Sequence, residues 1–166
     1  MSLLKYLQGY PPGLQQQISE MMNKGELGSW LARRYPLKHD VRSDTALFDY
    51  TQDLKTRFMR NAVPLNKVCF DAKLKIVQHA LGTHTRAPRQ QGANTKMRRE
   101  IRVASLFRES PPEFLKMIVV HELAHLKETE HDKAFYSLCH HMEPEYAQLE
   151  FDCRVWLTHL DEVSRP

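Results

Sequence analysis

The chain has 166 residues, of which 42% are hydrophobic and 27% are charged, proportions that fit one compact domain with a single core. No stretch approaches the roughly 20 apolar residues of a membrane-spanning helix, and the N-terminus lacks the features of a secretory signal. We therefore expect a cytoplasmic protein with no membrane partner. The cysteines, Cys69, Cys139 and Cys153, are odd in number and lack CxxC spacing, which argues against a disulfide framework and a thiolate metal site.

Residues 1–62 are predicted to form a helical layer. Apolar residues at helical spacing indicate two short helices before Pro36. A longer helix is expected to begin at a cap formed by Ser43 or Asp44. We expect this part to pack on a catalytic part that comprises residues 63–166, the two together making one domain.

The middle of the chain changes to the pattern of β-strands. Runs of β-branched and aromatic residues indicate strands at 67–70, 80–90 and 96–107, the last two joined by a polar turn. Helices are predicted again from residue 111 to the C-terminus. The order of elements predicts an α+β fold with a small antiparallel or mixed sheet packed on these helices.

Basic residues are concentrated between Arg86 and Arg108. Seven of them against one acid give a local charge of +6, larger than the +4 of the whole chain. Such a segment is a candidate contact for a nucleotide or nucleic acid, although a solvated charged face is the more common meaning of a charge run. The basic residues are Arg86, Arg89, Lys96, Arg98, Arg99, Arg102 and Arg108.

The HExxH pattern at residues 121–125 is the strongest chemical signal in the sequence. Helical positions i and i+4 lie about 40° apart around the axis, so His121 and His125 can bind one zinc ion. Glu122 flanks the ion and can act as the general base toward a zinc-activated water without being a ligand. The pattern predicts a zinc hydrolase.

The flanks of the pattern support a buried helix. Ser110, two prolines and Glu113 predict a capped helix start near Pro111. From Phe114 to Leu126, nearly all positions apart from the ionisable residues of the pattern are apolar, and they cover the whole circumference of the helix. Three ionisable groups on such a helix are costly unless they have a function.

A third ligand is required, and the residues leave two alternatives. His131 follows His125 by six residues, which suits a helix that ends and turns back toward the metal. Glu150 is the rival, as in zincins with a glutamate ligand, while Glu143 and Glu145 are less favoured.

Other polar residues near the pattern have weaker signals. Tyr136 and Tyr146 are candidate donors to the negative charge that develops in the reaction, although packing is the more common role of a tyrosine. His140 and His141 are expected at the surface or next to the metal ligands without binding the metal.

The chain resembles the YgjP-like family of small zinc-dependent metallopeptidases, relatives of the SprT and WLM proteases. The resemblance covers nearly the whole length and rests on residues 6–11, 101–104 and above all 117–144. It implies a zincin-like fold in which the ligands come from HExxH and from a histidine that follows it after five intervening residues. These ligands fall here on His121, His125 and His131, with the general base on Glu122, so the resemblance favours His131 over Glu150.

Three functions follow as hypotheses. The first is a zinc metallopeptidase that acts on a peptide or unfolded protein. The second, an activity with which the family is also associated, is a metal-dependent hydrolase that converts a nucleoside triphosphate such as UTP to the monophosphate and pyrophosphate. The third is a nucleic-acid-associated protein with a structural zinc site, which would need a fourth protein ligand.

Overall fold

The computed structural model describes residues 4–74 and 99–164. A 3-10 helix at Lys5–Leu7 is followed by α1 (Pro12–Asn23), α2 (Leu27–Arg34) and α3 (Asp44–Phe58). Strands β1 (Lys67–Asp71) and β2 (Glu100–Ala104) come next, with a 3-10 helix at Ser105–Glu109. The chain then forms α4 (Pro112–Ala124), α5 (Lys133–Met142) and α6 (Tyr146–Val163). Within these ranges, no helix combines the length and the apolar character that crossing a bilayer requires.

The predicted N-terminal helices are confirmed, and side-chain caps account for where two helices begin. Ser43 caps α3, its hydroxyl accepting a hydrogen bond from the Ala46 amide at 3.0 Å. Asp132 caps α5 in the same way, accepting from the Phe135 amide at 3.0 Å. Because its cap fixes the start of α5, Asp132 also fixes the position of the residue before it, His131.

The sheet is parallel where the structure describes it, which corrects the predicted antiparallel or mixed arrangement. Lys67 pairs with Glu100 and Asp71 pairs with Ala104 in parallel register. Parallel pairing needs a long crossover, and the 28 residues between Asp71 and Glu100 are long enough to supply one. The predicted strand at 80–90 lies outside the described residues.

The last predicted strand is shorter than expected. It was predicted over 96–107, but β2 ends at Ala104, and the chain continues as the 3-10 helix, which buries Phe107 completely. The combination of helices with a small sheet agrees with the α+β class. The zincin-like arrangement and the boundary at residues 62 and 63 stay predictions.

Helix α4 lies at the centre of the core. All ten of its residues from Phe114 to Ala124 other than Lys116 are buried. The main core cluster draws on α3, both strands, α4, α5 and α6. In a second cluster, buried residues of the 3-10 helix at Lys5–Leu7, of α1 and of α2 pack against Val155 of α6. Because α4 is enclosed by these elements, its HExxH side chains are held on a rigid support.

The start of α4 differs in detail from the prediction. Pro111 is the N-cap and the helix begins at Pro112, so Ser110 lies one position too early to cap it. The Ser110 hydroxyl instead donates to the Phe107 carbonyl at 3.1 Å. The predicted cap involving Ser110 and Glu113 is therefore wrong, although the start of the helix is correct to one residue.

Candidate metal centre

The HExxH pattern occupies the C-terminal end of α4, and the chain reverses directly after it. The Leu126 amide bonds to the Leu123 carbonyl at 2.9 Å, and the amides of Lys127 and Glu128 both bond to the Ala124 carbonyl. These bonds close a turn at the helix end. The turn brings the following segment back, so that His131 reaches the side chains on the last turn of α4.

Three imidazoles converge at this point. Ligand-capable atoms of His121, His125 and His131 all lie within 4.8 Å of one another. The Nε2 atoms of His125 and His131 are 3.0 Å apart. Two nitrogens on one tetrahedral zinc are about 3.3 Å apart when each Zn–N bond is about 2.05 Å. The spacing therefore fits a shared metal ion.

The outer nitrogens of two of these rings contact oxygen atoms. His125 Nδ1 lies 2.9 Å from the Glu128 carbonyl, and His121 Nδ1 lies 2.8 Å from the Tyr146 hydroxyl. The Glu128 carbonyl can only accept, so it favours the His125 tautomer in which Nδ1 carries the hydrogen and Nε2 the lone pair. The Tyr146 hydroxyl can accept from His121 Nδ1 in the same tautomer. Imidazoles presented in this way suit a divalent metal that accepts nitrogen ligands, and zinc is one such metal.

The three rings rest on Phe135, a residue of α5 with no exposed surface. The centroid of its ring lies 5.0 Å from that of His121, 4.6 Å from that of His125 and 4.9 Å from that of His131. The phenyl ring closes one side of the site. The contact of Phe135 with all three histidines was not predicted from the sequence; its position on the first turn of α5, four residues after His131, was the available signal.

Glu122 is buried beside the cluster. Its side chain is 3% exposed, and among the described residues its Oε2 atom has no hydrogen-bond partner. Burial raises the pKa of this carboxyl well above its ordinary value. A buried carboxyl oxygen without a partner is destabilising, so its presence next to three convergent histidines indicates a functional role.

The carboxylates considered as alternatives to His131 form other interactions. Glu150 forms an ion pair with Arg154 at 3.2 Å, and Glu143 forms one with Lys116 at 2.9 Å. Neither belongs to the histidine cluster. Glu145, the third carboxylate considered, is exposed at the start of α6.

Two further histidines are exposed, as predicted. The Nδ1 atom of His140 lies 3.3 Å from the Pro144 carbonyl, and the ring of His141 packs edge-on against Phe58. Over residues 4–74 and 99–164, no fourth histidine, cysteine or carboxylate joins the cluster. Three protein ligands describe an open site of the catalytic type better than a closed structural one.

The two candidate tyrosines differ in position. Tyr146 is fully buried, and its hydroxyl contacts His121. Burial, followed by the nearby Glu150 carboxylate, raises the pKa of this phenol well above its ordinary value. Tyr136 is 36% exposed, and its ring centroid lies 6.4 Å from that of His131. Tyr136 is thus the tyrosine on the solvent side of the site.

Two arginines of the predicted basic segment form contacts within the protein. Arg102 forms ion pairs with Asp71 at 2.8 Å and with Glu100 at 2.5 Å. The Arg108 guanidinium donates to the Arg42 carbonyl and lies over the Phe70 ring. These two arginines are therefore poor candidates for phosphate contacts. Arg86, Arg89, Lys96 and Arg98 lie outside the described residues.

The three cysteines are buried and free, as expected of small hydrophobic residues. Cys139 and Cys153 have no exposed surface, and Cys69 has 7%. Burial raises the pKa of Cys139 to about 12, so its thiol stays protonated at neutral pH. None of the three joins the histidine cluster.

Three histidines that converge on one point, with a buried carboxyl on the same helical turn, make the site that of a metallohydrolase. The chain belongs to the YgjP-like family: the model of the YgjP-like metallopeptidase domain matches residues 70–154. The resemblance found in the sequence is thereby confirmed. A protein of Escherichia coli (strain K12) named UTP pyrophosphatase is 59% identical to this chain over 160 residues, which cover 96% of each chain. No solved structure matches the chain.

Proposed function

We propose that the protein is a metal-dependent pyrophosphohydrolase of nucleoside triphosphates, with UTP as the substrate. The observation that carries the proposal is the 59% identity to UTP pyrophosphatase over 96% of both chains. The likeness extends over 160 residues, well beyond the metal-binding segment. The nucleotide hypothesis therefore comes before the peptidase hypothesis, the reverse of the order expected from the sequence.

The histidine cluster supplies the metal ligands in this proposal. His121, His125 and His131 would hold Zn²⁺ through ring nitrogens. Bound there, zinc supplies a Lewis acid that lowers the pKa of a water and offsets negative charge on a phosphoryl oxygen. Packing of all three rings on Phe135 limits their rotation, so the ligand positions are set before the substrate arrives.

Glu122 is the general base. It accepts a proton from the attacking water, whose oxygen forms a bond to the α-phosphorus. The bond from that phosphorus to the α–β bridging oxygen breaks, and pyrophosphate leaves with this oxygen. A general base must be ionised. The positive charge of a bound metal ion would favour the ionised form of the Glu122 carboxyl, which burial alone would keep protonated.

Arginine and lysine side chains are required to offset the charge of the triphosphate. Arg102 and Arg108 already have partners, so we assign this role to Arg86, Arg89, Lys96 and Arg98 of the basic segment. Loss of one charged hydrogen bond costs about 1.5–3 kcal/mol. Arg89→Ala or Arg98→Ala should therefore raise the KM for UTP by about tenfold or more. Arg33→Ala, an exposed arginine of α2, is the matched control.

The deciding assay follows pyrophosphate release from UTP, CTP, ATP and GTP, in parallel with cleavage of an unfolded protein such as reduced casein. Wild type and Glu122→Gln are compared on each substrate. The proposal expects pyrophosphate release from UTP that needs Glu122. A wild-type protein that carries one zinc per chain and hydrolyses none of the nucleotides would refute it.

A metallopeptidase is the second candidate, since the matching family model describes a metallopeptidase domain. The same ligands and the same base would then serve the attack of water on a peptide carbonyl. Casein cleavage that needs Glu122 but is indifferent to Arg89 and Arg98 would support this candidate. The structural-zinc hypothesis is the weakest, because within the described residues the cluster holds three ligands where a closed site needs four.

A further inference from the structure

A line of polar side chains leads from His121 into helix α6. The Tyr146 hydroxyl lies 2.8 Å from His121 Nδ1. Glu150 lies one turn further along α6 and interacts electrostatically with the same phenol. Arg154, a further turn on, forms an ion pair with Glu150 at 3.2 Å and donates to the Tyr6 carbonyl at 3.1 Å. Positions i, i+4 and i+8 place these residues on one face of the helix.

We propose that Tyr146 is a positioning residue that orients His121 for metal binding. The proposal rests on the proposed role of His121 as a ligand. If Nε2 binds the metal, Nδ1 carries the hydrogen and donates it to the Tyr146 oxygen. The phenol hydrogen is then available for donation to the Glu150 carboxylate. His121 and Tyr146 thus each donate toward the negative charge of Glu150, which Arg154 also pairs from the other side.

The side chains of this line are buried, which strengthens the hydrogen bonds between them. Tyr146 is fully buried, and the side chains of Glu150 and Arg154 are 13% and 9% exposed. Hydrogen bonds in such surroundings are electrostatically stronger than in water. Metal-binding histidines commonly donate their second nitrogen to a carboxylate or a carbonyl, and here a tyrosine stands between the histidine and the carboxylate. A second tyrosine whose hydroxyl has an acidic partner, the partly buried Tyr35, donates to Asp152 of α6 instead.

The pair of tyrosines provides a matched test. Tyr146→Phe and Tyr35→Phe each remove one hydroxyl that contacts a polar side chain and leave the ring in place. Zinc affinity is measured for wild type and both variants by competition with a chelator of known affinity. We expect Tyr146→Phe to weaken zinc binding about 10- to 100-fold, the usual effect of removing such a partner, and Tyr35→Phe to leave it within about twofold. A purely structural tyrosine would lower the melting temperature without changing zinc affinity.

A spectroscopic readout accompanies the affinity. Co²⁺ bound in place of zinc reports ligand orientation through its visible absorption, which should change in Tyr146→Phe and not in Tyr35→Phe. Equal zinc affinity and equal Co²⁺ spectra in wild type and Tyr146→Phe would overturn the proposal. A wild type that binds no zinc would instead defeat the proposed function, so the two failures are distinguishable.

A measurement on the unmodified protein covers the case in which Tyr146→Phe does not fold. Long-range ¹H–¹⁵N spectra of the zinc-bound wild type show which nitrogen of His121 carries the hydrogen. A hydrogen on Nδ1, protected from exchange with solvent, supports the proposal. Zinc bound through Nδ1 of His121 overturns it.

Discussion

Replacement of Glu122 by glutamine should make the metal-free protein more stable while it abolishes turnover. The side chain is 3% exposed, and its Oε2 atom has no partner within the part of the chain that the structure describes. Burial raises the pKa of this carboxyl, so at neutral pH the metal-free fold either buries a charge or binds a proton that the unfolded chain releases. The buried charge and the proton uptake each lower the stability of the fold. Glutamine is a neutral amide of the same shape, so the substitution removes both costs.

The magnitude follows from the burial. An unpartnered polar group costs about 1–3 kcal/mol, and more when it is charged, whereas the buried amide keeps a smaller cost of its own. We therefore expect metal-free Glu122→Gln to gain on the order of 1–2 kcal/mol. For a chain of this length that is a rise of about 2–8 °C in melting temperature. Loss of the general base should lower turnover of UTP about 10²- to 10⁴-fold.

The assay combines thermal melts of chelator-treated protein with pyrophosphate release by zinc-loaded protein. Glu130→Gln, at an exposed position before His131, is the control and should change neither quantity. A metal-free Glu122→Gln that melts below wild type would show that Glu122 stabilises the fold. Loss of zinc from this variant would show that Glu122 is a ligand.

Three further predictions concern the ligands and the buried charges. His131→Ala should lower zinc content from about one per chain toward zero by elemental analysis, whereas His140→Ala, at an exposed position, should leave it unchanged. Asp152→Ala should lower the melting temperature by about 4–12 °C, because this fully buried carboxylate accepts hydrogen bonds from three side chains; no change would mean that they find other partners. The Lys73 amide and the Arg102 guanidinium lower the pKa of Asp71, so its contribution is present above pH 3.8 and is lost as the pH falls through the lower folded value. Acid titration of Asp71→Asn should therefore show a stability deficit at neutral pH that shrinks as the pH falls below 3.8 and disappears below the folded pKa; a constant deficit would contradict this linkage.

Local patterns in the sequence predicted the helices that carry the site. The apolar circumference of α4 and the Ser43 cap of α3 are properties of short stretches, and both are present in the structure. Contacts between segments that are far apart in the sequence could not be predicted from such local patterns. The pairing of β1 with β2 joins residues more than 30 positions apart, so the spacing of strands could not determine its parallel direction.

The same distinction applies to the site. The spacing of His121 and His125 on a helix predicts their proximity, because the helix fixes their geometry. The spacing of His131 left Glu150 as an alternative, since a turn of unknown shape separates His131 from the helix. The contact between Tyr146 and His121 depends on how α6 packs against α4, and no local pattern encodes it. The ion pair of Arg102 with a residue 31 positions earlier was missed for the same reason.

The central claim is that the histidine cluster supports hydrolysis of a nucleoside triphosphate. The most direct test measures pyrophosphate release from UTP by protein that has been stripped of metal and is then titrated with Zn²⁺. We predict negligible turnover in the stripped protein and a rise that reaches its plateau at about one equivalent of zinc per chain. Turnover that survives complete removal of metal, or a zinc-saturated protein that releases no pyrophosphate from UTP, would contradict the claim.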